Sequence, residues 1–397
     1  MSERGIAATG RSCLRTAART GAVACAWALL CLASSAPRLA LAGNDLAIGV
    51  FIPTQGELAA QGRMVWRGAE LAAAEVNARG GINGRSLRLV VARADLAWEA
   101  STRELARLLY EEQVWGIVGG LDSRSAHVAE QVITRARGRA LLVSPWATDP
   151  TLAQIGIPWF FRVVPDDRRQ ASLLAQEIFK ERKLRHVAVL VGSSIDALHA
   201  AAAFARAAPV GSVISQQVGE RTDGAELARR LKRSAAEAVV MFLNPSTAGD
   251  RARELRAAGV RLPLFGTLWL AAPEFLERAG PAAEGAVLVV PTWEGSGAAA
   301  HDFSSRFAGR YGEAPTLAAF YAGDAVCALA EAIRLAGGER DAMAEALSRT
   351  VVDGLTGIVR FQDNGERAGA VGLGRVSKDT LVPVGADLAA GTAERGS

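Results

Sequence analysis

Short apolar runs alternate with longer amphipathic segments along most of the chain. The run Leu46–Ile52 is uninterrupted and predicts a buried strand, and apolar residues then recur at helical spacing over 66–76. The alternation continues through strands predicted at 87–92, 114–118 and 140–144, with helices between them. Such an order of strands and helices predicts a parallel sheet covered by helices on both faces and joined by right-handed crossovers.

A second series with the same pattern follows Arg162. Strands are predicted at 187–191, 213–218, 238–243 and 264–265, again separated by helices, and the chain ends in β-type runs. A chain of 397 residues exceeds the size at which a single hydrophobic core stops growing. The pattern therefore predicts two α/β lobes.

Composition and charge narrow the class of protein. Half of the residues are hydrophobic and 22% are charged, as in globular proteins. The formal charge of +4 comes from the first 42 residues, beyond which 40 basic and 40 acidic residues remain. No dense Lys/Arg stripe follows residue 42, so the sequence predicts no nucleic-acid partner.

The first 42 residues have the pattern of a secretory signal peptide. The segment Arg11–Arg19 is basic, Gly21–Ala33 is apolar, and Ala40–Ala42 has the small-x-small pattern of a cleavage site. A membrane anchor needs about 18 uninterrupted apolar residues. The apolar run here is shorter, because polar residues and Pro37 interrupt the sequence after Ala33. We expect cleavage after residue 42 and a mature protein in the periplasm.

The cysteines agree with this division. Cys13, Cys25 and Cys31 fall in the predicted signal peptide, which leaves Cys327 alone in the mature chain, without an internal disulfide. Lipid attachment at Cys25 or Cys31 is an alternative that stays open. An exported chain of this size without disulfides is typical of a bacterial periplasm.

Signatures of several enzyme classes are absent from the sequence. There is no Gly-Lys dipeptide, hence no P-loop, and no Gly-x-Ser-x-Gly nucleophile motif. The four histidines, His127, His186, His199 and His301, lack the spacing of a zinc-binding helix. The sequence predicts no catalytic residue, no metal site and no cofactor.

Four segments carry a resemblance to a known family. They are Ile48–Pro53, the helix end Glu75–Gly84, Val118–Gly120 with Ser123 beyond it, and Ser144–Pro150, in this order. Together they resemble the branched-chain amino-acid (leucine/isoleucine/valine) binding proteins of ABC importers, and the resemblance extends over essentially the whole mature chain.

The resemblance implies a two-lobed periplasmic-binding-protein clamshell, each lobe a parallel sheet flanked by helices. Three crossover strands would lie near Arg162–Val164, Val290–Trp293 and Leu355–Gly357. The implied limits are 43–162 plus 292–355 for lobe 1, 163–291 plus 356–390 for lobe 2, and 391–397 for a flexible tail. Ligands of open parallel sheets bind beyond the carboxyl ends of the strands.

The resemblance also implies that hydroxyls and backbone N–H groups near Ser123 and Thr148 hold a ligand carboxylate. A helix start favours an anion, although Ser123 as a helix cap and Thr148 as a turn residue are the alternatives. Trp146 at a strand end is expected to form a pocket wall, and Trp66 and Trp293 are further candidates near the cleft. The full set of candidate ligand-binding residues is Gln61, Ser123, Trp146, Ala147, Thr148, Ser194, Asn244, Leu268 and Trp269.

The chain departs from the family pattern where amino-acid binders hold the ligand ammonium. Thr267-Leu268-Trp269 stands in place of the acid, and a tyrosine is missing from the loop Gly192–Asp196. Asp196 either replaces that acid or lies solvated at a helix start. We therefore expect the ligand to be a carboxylate with an apolar or aromatic body.

These features together predict a non-catalytic, monomeric solute-binding protein that delivers a small organic ligand to an inner-membrane ABC permease. The alternative is a periplasmic sensor that reports the ligand to a signalling partner, since one fold serves several functions.

Overall fold

The computed structural model describes residues 45–154, 156–217, 223–292, 297–369 and 371–384. The predicted signal peptide and tail, together with Trp293, lie outside the described residues.

Strands and helices alternate along the described chain as the pattern predicts. The strands are β1 Leu46–Ile52, β2 Leu87–Arg93, β3 Gly116–Gly119, β4 Leu141–Ser144, β5 Phe160–Arg162, β6 Val187–Val191, β7 Val213–Gln217, β8 Ala238–Phe242, β9 Leu264–Gly266, β10 Val287–Pro291, β11 Val351–Gly354, β12 Gly357–Arg360, β13 Val371–Ser377 and β14 Thr380–Pro383. The α-helices are α1 Ala59–Ala78, α2 Trp98–Ala106, α3 Ser123–Arg135, α4 Thr151–Gln154, α5 Asp167–Ala175, α6 Ile195–Ala207, α7 Gly224–Arg233, α8 Pro245–Ala257, α9 Pro273–Ala279, α10 Gly297–Tyr311, α11 Leu317–Leu335 and α12 Met343–Ser348. Short π-helical segments, Arg107–Glu111 and Gln176–Glu181, continue α2 and α5.

The first lobe is built on a five-stranded parallel sheet with the strand order β2-β1-β3-β4-β5. Every residue of β1 is buried, because this strand lies between two others and both of its faces are covered. Helices α1 and α11 pack closely together in this lobe. A Cβ atom on Gly68 of α1 would lie 2.2 Å from the carbonyl oxygen of Ala319 in α11.

The second lobe is built on a seven-stranded sheet with the order β14-β13-β10-β9-β8-β6-β7. The strands β10, β9, β8, β6 and β7 are parallel, as predicted, and β13 and β14 add two antiparallel strands at one edge. A two-residue turn, Lys378-Asp379, joins them, and both residues have positive φ (50° and 61°). That conformation matches the twist of a hairpin.

The chain passes between the sheets after Arg162, after Pro291 and near the small hairpin formed by β11 and β12. Asp324, a fully buried residue of α11, accepts hydrogen bonds from the backbone N–H groups of Leu355 and Thr356 and fixes the third passage to the first lobe. The residue limits of the lobes given above stay a prediction.

The described residues contain neither a candidate membrane span nor a candidate metal site. None of their helices is long and apolar enough to cross a membrane. Among the same residues, no group of three or more His, Cys, Asp or Glu side chains is arranged so that it could hold a metal ion.

Candidate functional site

A cleft of about 620 Å³ lies between the two lobes, at the carboxyl ends of strands from both sheets. Loops after β1, β2, β3 and β4 form its first-lobe wall, and loops after β6, β8 and β9 form its second-lobe wall. Its lining comprises Pro53, Gln55, Gly56, Glu57, Leu58, Ala60, Gln61, Ala94, Asp95, Leu121, Asp122, Arg124, Ser125 and Trp146 from the first lobe, and Gly192, Ser193, Ser194, Asp196, Leu243, Asn244, Pro245, Ser246, Thr247, Trp269 and Glu274 from the second.

The predicted site residues divide into two groups. Gln61, Trp146, Ser194, Asn244 and Trp269 line the cleft. The other four, Ser123, Ala147, Thr148 and Leu268, are buried and lie outside this lining. Ligand contact by the nine residues stays a prediction.

Asp122, and not Ser123, caps helix α3. The Asp122 carboxylate accepts a hydrogen bond from the Ser125 N–H at 2.6 Å, and the Ser125 hydroxyl completes the capping box. The alternative in which Ser123 only caps its helix is therefore wrong. Since Asp122 does the capping, the N–H and hydroxyl of Ser123 remain available to an acceptor from elsewhere.

Ser123 uses both donors on Asp196, which lies on α6 of the second lobe. Asp196 Oδ1 accepts a hydrogen bond from the Ser123 N–H at 3.1 Å and another from the Ser123 hydroxyl. Ser194 caps α6 by accepting from the Ala197 N–H at 3.1 Å, and Asp196 lies in the first turn of this helix. A carboxylate from one lobe thus occupies the predicted anion site of the other.

The expectation of a solvated Asp196 at a helix start is wrong. Its exposed fraction is 9%, because the Ser123 segment covers it. Burial, aided by the nearby charge of Asp122, raises the pKa of Asp196 to about 6.

Thr148 also faces an acid of the second lobe. Its hydroxyl hydrogen-bonds the carboxyl group of Asp167, and its carbonyl oxygen accepts from the Asp167 N–H at 2.9 Å. Burial raises the pKa of Asp167 well above its usual value, since the hydrogen bond from Thr148 only partly offsets the loss of water.

Arg162 holds the loop that carries Thr148. Its guanidinium pairs with Glu366 in two hydrogen bonds, one of them 2.7 Å long, and donates to the carbonyl oxygens of Ala147 (3.2 Å) and Asp149 (2.8 Å). The Ala147 N–H in turn donates to the Ser144 hydroxyl. Both backbone polar groups of Ala147 are thus occupied within the protein.

Leu268 is fully buried in a short 3₁₀ turn, and its N–H donates to the side chain of Gln170 at 2.9 Å. It fills core space at the place where the resemblance implies an acid. The neighbouring Trp269 lines the cleft instead, and its Nε1 has no hydrogen-bond partner among the described residues. Trp146 forms the opposite wall and packs edge-on against Tyr321, with ring centroids 6.5 Å apart.

The cleft carries more acid than base. Within the described part of the chain, the carboxylates of Glu57, Asp95, Asp122, Asp196 and Glu274 line it together with the guanidinium of Arg124. Asp95 is paired with Arg93 at 2.9 Å. Glu274 Oε2 is buried and has no hydrogen-bond partner among the described residues, as is also true of Gln61 Oε1. Polar atoms in this state favour a ligand that supplies donors.

A group of ionisable side chains lies beside Thr148. His127 contacts Glu130 at 3.0 Å and Asp149 at 3.6 Å, and His199 of the second lobe lies 3.1 Å from Asp149 Oδ2. Hydrogen bonds to Asp149 and Glu130 raise the pKa of His127 to about 9. Burial acts to raise the pKa of Asp149, but hydrogen bonds from His127 and Thr151 outweigh it and lower this pKa.

Sequence reasoning missed several residues that the fold brings to the cleft, among them Asp95 and Glu274. Asp95 directly follows β2, so its position at a strand end was a usable signal. Glu274 lies in the short helix α9, which the apolar pattern did not predict. No local signal places its side chain in the cleft.

Comparisons with known proteins agree with this architecture. The family model described as Periplasmic binding protein matches residues 45–380. A Leu/Ile/Val-binding protein homolog of Brucella melitensis is 29% identical over 246 residues, which are 61% of this chain and 66% of that relative. The matched stretches of several others span only 38% to 40% of their length.

Two solved structures show the same fold. The branched-chain amino acid transporter substrate-binding protein of Streptococcus pneumoniae, in complex with isoleucine, is 22% identical, with a TM-score of 0.76 over 85% of this chain and 99% of that one. A solute-binding protein of an ABC transporter from R. palustris, in complex with benzoate, is 19% identical, with a TM-score of 0.73 over 86% and 96%. The two-lobed α/β fold and the match over most of the chain place this protein in the periplasmic binding protein family.

Proposed function

We propose that this protein is the substrate-binding protein of an ABC importer, and that it captures a small organic ligand in the periplasm by closing its two lobes around it. The cleft between the lobes supports this proposal, because its walls come from the strand ends of both sheets. A ligand that contacts both walls stabilises the closed arrangement, since it binds that arrangement better than the open one. Binding, and not catalysis, is the proposed activity.

The proposed ligand is a carboxylate, and one observation carries this choice. The N–H and hydroxyl of Ser123 already hold a carboxylate in the structure, that of Asp196. Hydrogen bonds to a charged acceptor are stronger than those between neutral groups. A ligand carboxylate that takes the same place gains the same two donors.

An apolar or aromatic body suits the rest of the cleft. Trp146 and Trp269 stand on opposite walls, and Leu58, Leu121 and Leu243 add apolar surface to the lining. Flat aromatic walls favour rings and branched chains. The benzoate-bound fold neighbour from R. palustris shows that this fold accommodates such a compound.

A second candidate is an α-amino acid. The buried, unpartnered oxygen of Glu274 favours it, because this carboxylate is able to pair with a ligand ammonium. The relatives named Leu/Ile/Val-binding proteins also support it. The two candidates share the carboxylate and differ in the amino group.

Calorimetry with matched compounds tests the proposal. We expect benzoate and 4-methylpentanoate to bind. Benzamide, which lacks the negative charge, and leucine, which adds an ammonium, are expected to bind at least tenfold more weakly. Tighter binding of leucine than of 4-methylpentanoate favours the second candidate. No binding of any carboxylate or amino acid contradicts the proposed ligand class.

Variants of two tryptophans test the aromatic wall. Trp269→Ala is expected to weaken benzoate about tenfold, since it removes about 1 kcal/mol or more of aromatic contact. Trp98→Ala is the matched control, because Trp98 is 46% exposed and lies outside the cleft lining. Equal losses in both variants would argue against a ligand at Trp269. Loss of ligand uptake in cells that lack this protein distinguishes an importer subunit from a sensor.

A further inference from the structure

The place proposed for the ligand carboxylate is already taken by Asp196. Its Oδ1 accepts both donors of Ser123, and the two residues are 9% and 4% exposed. Two carboxylates cannot share one pair of donors in so confined a space, because like charges at contact distance repel. A ligand carboxylate therefore has to displace that of Asp196.

The contact also joins the two lobes. Ser123 is the first residue of α3 in the first lobe, and Asp196 belongs to the first turn of α6 in the second. Asp196 thus makes within the protein the kind of bridge that a bound ligand is proposed to make.

We propose that Asp196 is an internal competitor of the ligand: its carboxylate occupies the Ser123 donors in the ligand-free protein, ties the lobes together, and lowers the affinity for carboxylates. This inference rests on the function proposed above. Under this inference, Asp196 sets the affinity of the protein for carboxylates. A competitor and a supporting residue differ in the sign of the effect that their removal has on this affinity. Loss of a supporting residue weakens binding, whereas loss of a competitor strengthens it.

The charged surroundings of Asp196 make the competition depend on pH. Asp122 faces it from the start of α3 and Asp149 from the loop after β4, while His199 lies on its own helix and Asp167 belongs to the adjacent α5. Burial and the charge of Asp122 raise the pKa of Asp196 to about 6. Below that pH Asp196 becomes neutral and is a weaker acceptor for Ser123, while a ligand such as benzoate remains ionised and competes better.

The test compares benzoate and 4-methylpentanoate binding to the wild type, Asp196→Ala and Asp196→Asn at pH 7.5 and pH 5.5. We expect Asp196→Ala to bind carboxylates at least tenfold more tightly than the wild type at pH 7.5. The wild type is expected to gain affinity at pH 5.5, whereas Asp196→Ala is not. The matched control is Glu226→Gln, which removes an acid from the first turn of α7, outside the cleft, and leaves both affinities within twofold of the wild type.

Further measurements separate this inference from the proposed function. The double variant Ser123→Ala/Asp196→Ala is expected to lose the gain in carboxylate affinity, because it lacks the Ser123 hydroxyl, one of the two donors that the loss of Asp196 releases. Small-angle scattering without ligand is expected to show a larger radius of gyration for Asp196→Ala than for the wild type. If Asp196→Ala binds carboxylates within twofold of the wild type, or more weakly, the inference is overturned and the proposed function is left intact. An enlarged radius with no carboxylate binding to any variant overturns the proposed ligand class and supports the tie between the lobes.

Discussion

Arg162 is the largest fully buried side chain among the described residues, and its guanidinium donates hydrogen bonds on several sides. A buried ion pair such as Arg162–Glu366 costs several kcal/mol per ion in lost hydration, and good geometry only offsets that cost. The Arg162–Glu366 pair therefore acts mainly by fixing the position of neighbouring segments. It fixes the loop that carries Thr148 to the strand bridge at Glu366.

His127 gives the stability of the protein a dependence on pH. Its folded pKa of about 9 lies above the usual 6.5, so the stabilisation is complete below pH 6.5 and is lost as the pH rises through 9. Because 34% of the side chain is exposed, the loss is expected to be only about 1 kcal/mol. Chemical denaturation between pH 6.5 and pH 9.5 measures it.

His127→Asn is the control for this dependence. The variant is expected to lose most of the slope between those pH values, while His301→Asn, at an exposed position of α10, keeps it. A slope that is the same in all three proteins would mean that His127 is not its source.

The sequence predicts residue chemistry better than residue contacts. The family resemblance implies that Ser123 and Thr148 hold a ligand carboxylate, and in the structure both contact carboxyl groups of the protein itself. Those groups belong to Asp196 and Asp167, residues from the other lobe. No pattern within a few positions of Ser123 encodes such a partner, because the contact spans 73 positions and forms only once both lobes are folded.

Helices α1 and α11 show how small residues set the distance between elements. Gly68 has no side chain, and the backbone of Ala319 lies where a Cβ atom would stand. The helices therefore pack backbone to backbone at this point, and their axes approach more closely than larger side chains would allow.

Gly68→Ala is expected to destabilise the protein by about 1–3 kcal/mol. The added Cβ would lie 2.2 Å from a carbonyl oxygen that cannot move alone, and the overpacking outweighs the gain in helix propensity. Thermal or denaturant unfolding measures the change. Gly309→Ala on α10, where a Cβ meets nothing within 4 Å, is the control and is expected to be neutral or stabilising by up to about 1 kcal/mol. Equal stability of both variants would contradict close packing at Gly68.

Elements with strong local patterns could be predicted from the sequence, and those without them could not. β1 and β6 are uninterrupted apolar runs, and their observed bounds equal the predicted ones. Helix α9 is too short to show a helical period. The antiparallel pairing of β13 and β14 depends on the turn geometry of two residues and was not predicted.

One buried hydrophobic cluster runs through both lobes. It includes Ile48 and Val118 of the first sheet, Val163 at a crossover, and Val189 and Phe265 of the second sheet. The crossover segment at Val163 is therefore part of the core and not an exposed linker. Residues of the two lobes lose water together when the chain folds.

This continuity predicts a single cooperative unfolding transition. Breaking either lobe exposes apolar surface that the other lobe covers, so partly folded states are disfavoured. Scanning calorimetry is expected to give one peak, with calorimetric and van't Hoff enthalpies in agreement. Two separate peaks would show that the lobes unfold independently.

The return of α11 to the first lobe has a consequence for the order in which the protein folds as it is made. The N-terminal part of the chain leaves the ribosome first, yet α1 packs against a helix that begins only at Leu317. Until that helix is available, one face of the first sheet is only partly covered, because α1 packs on β1 and β2 whereas α11 packs on β3 and β4. The first lobe is therefore expected to complete its core only late in synthesis, after Leu317–Leu335 has been made. This delay suits the export that the pattern of the first 42 residues predicts, because an exported chain crosses the membrane before it folds. The uncovered apolar surface is then open to chaperones.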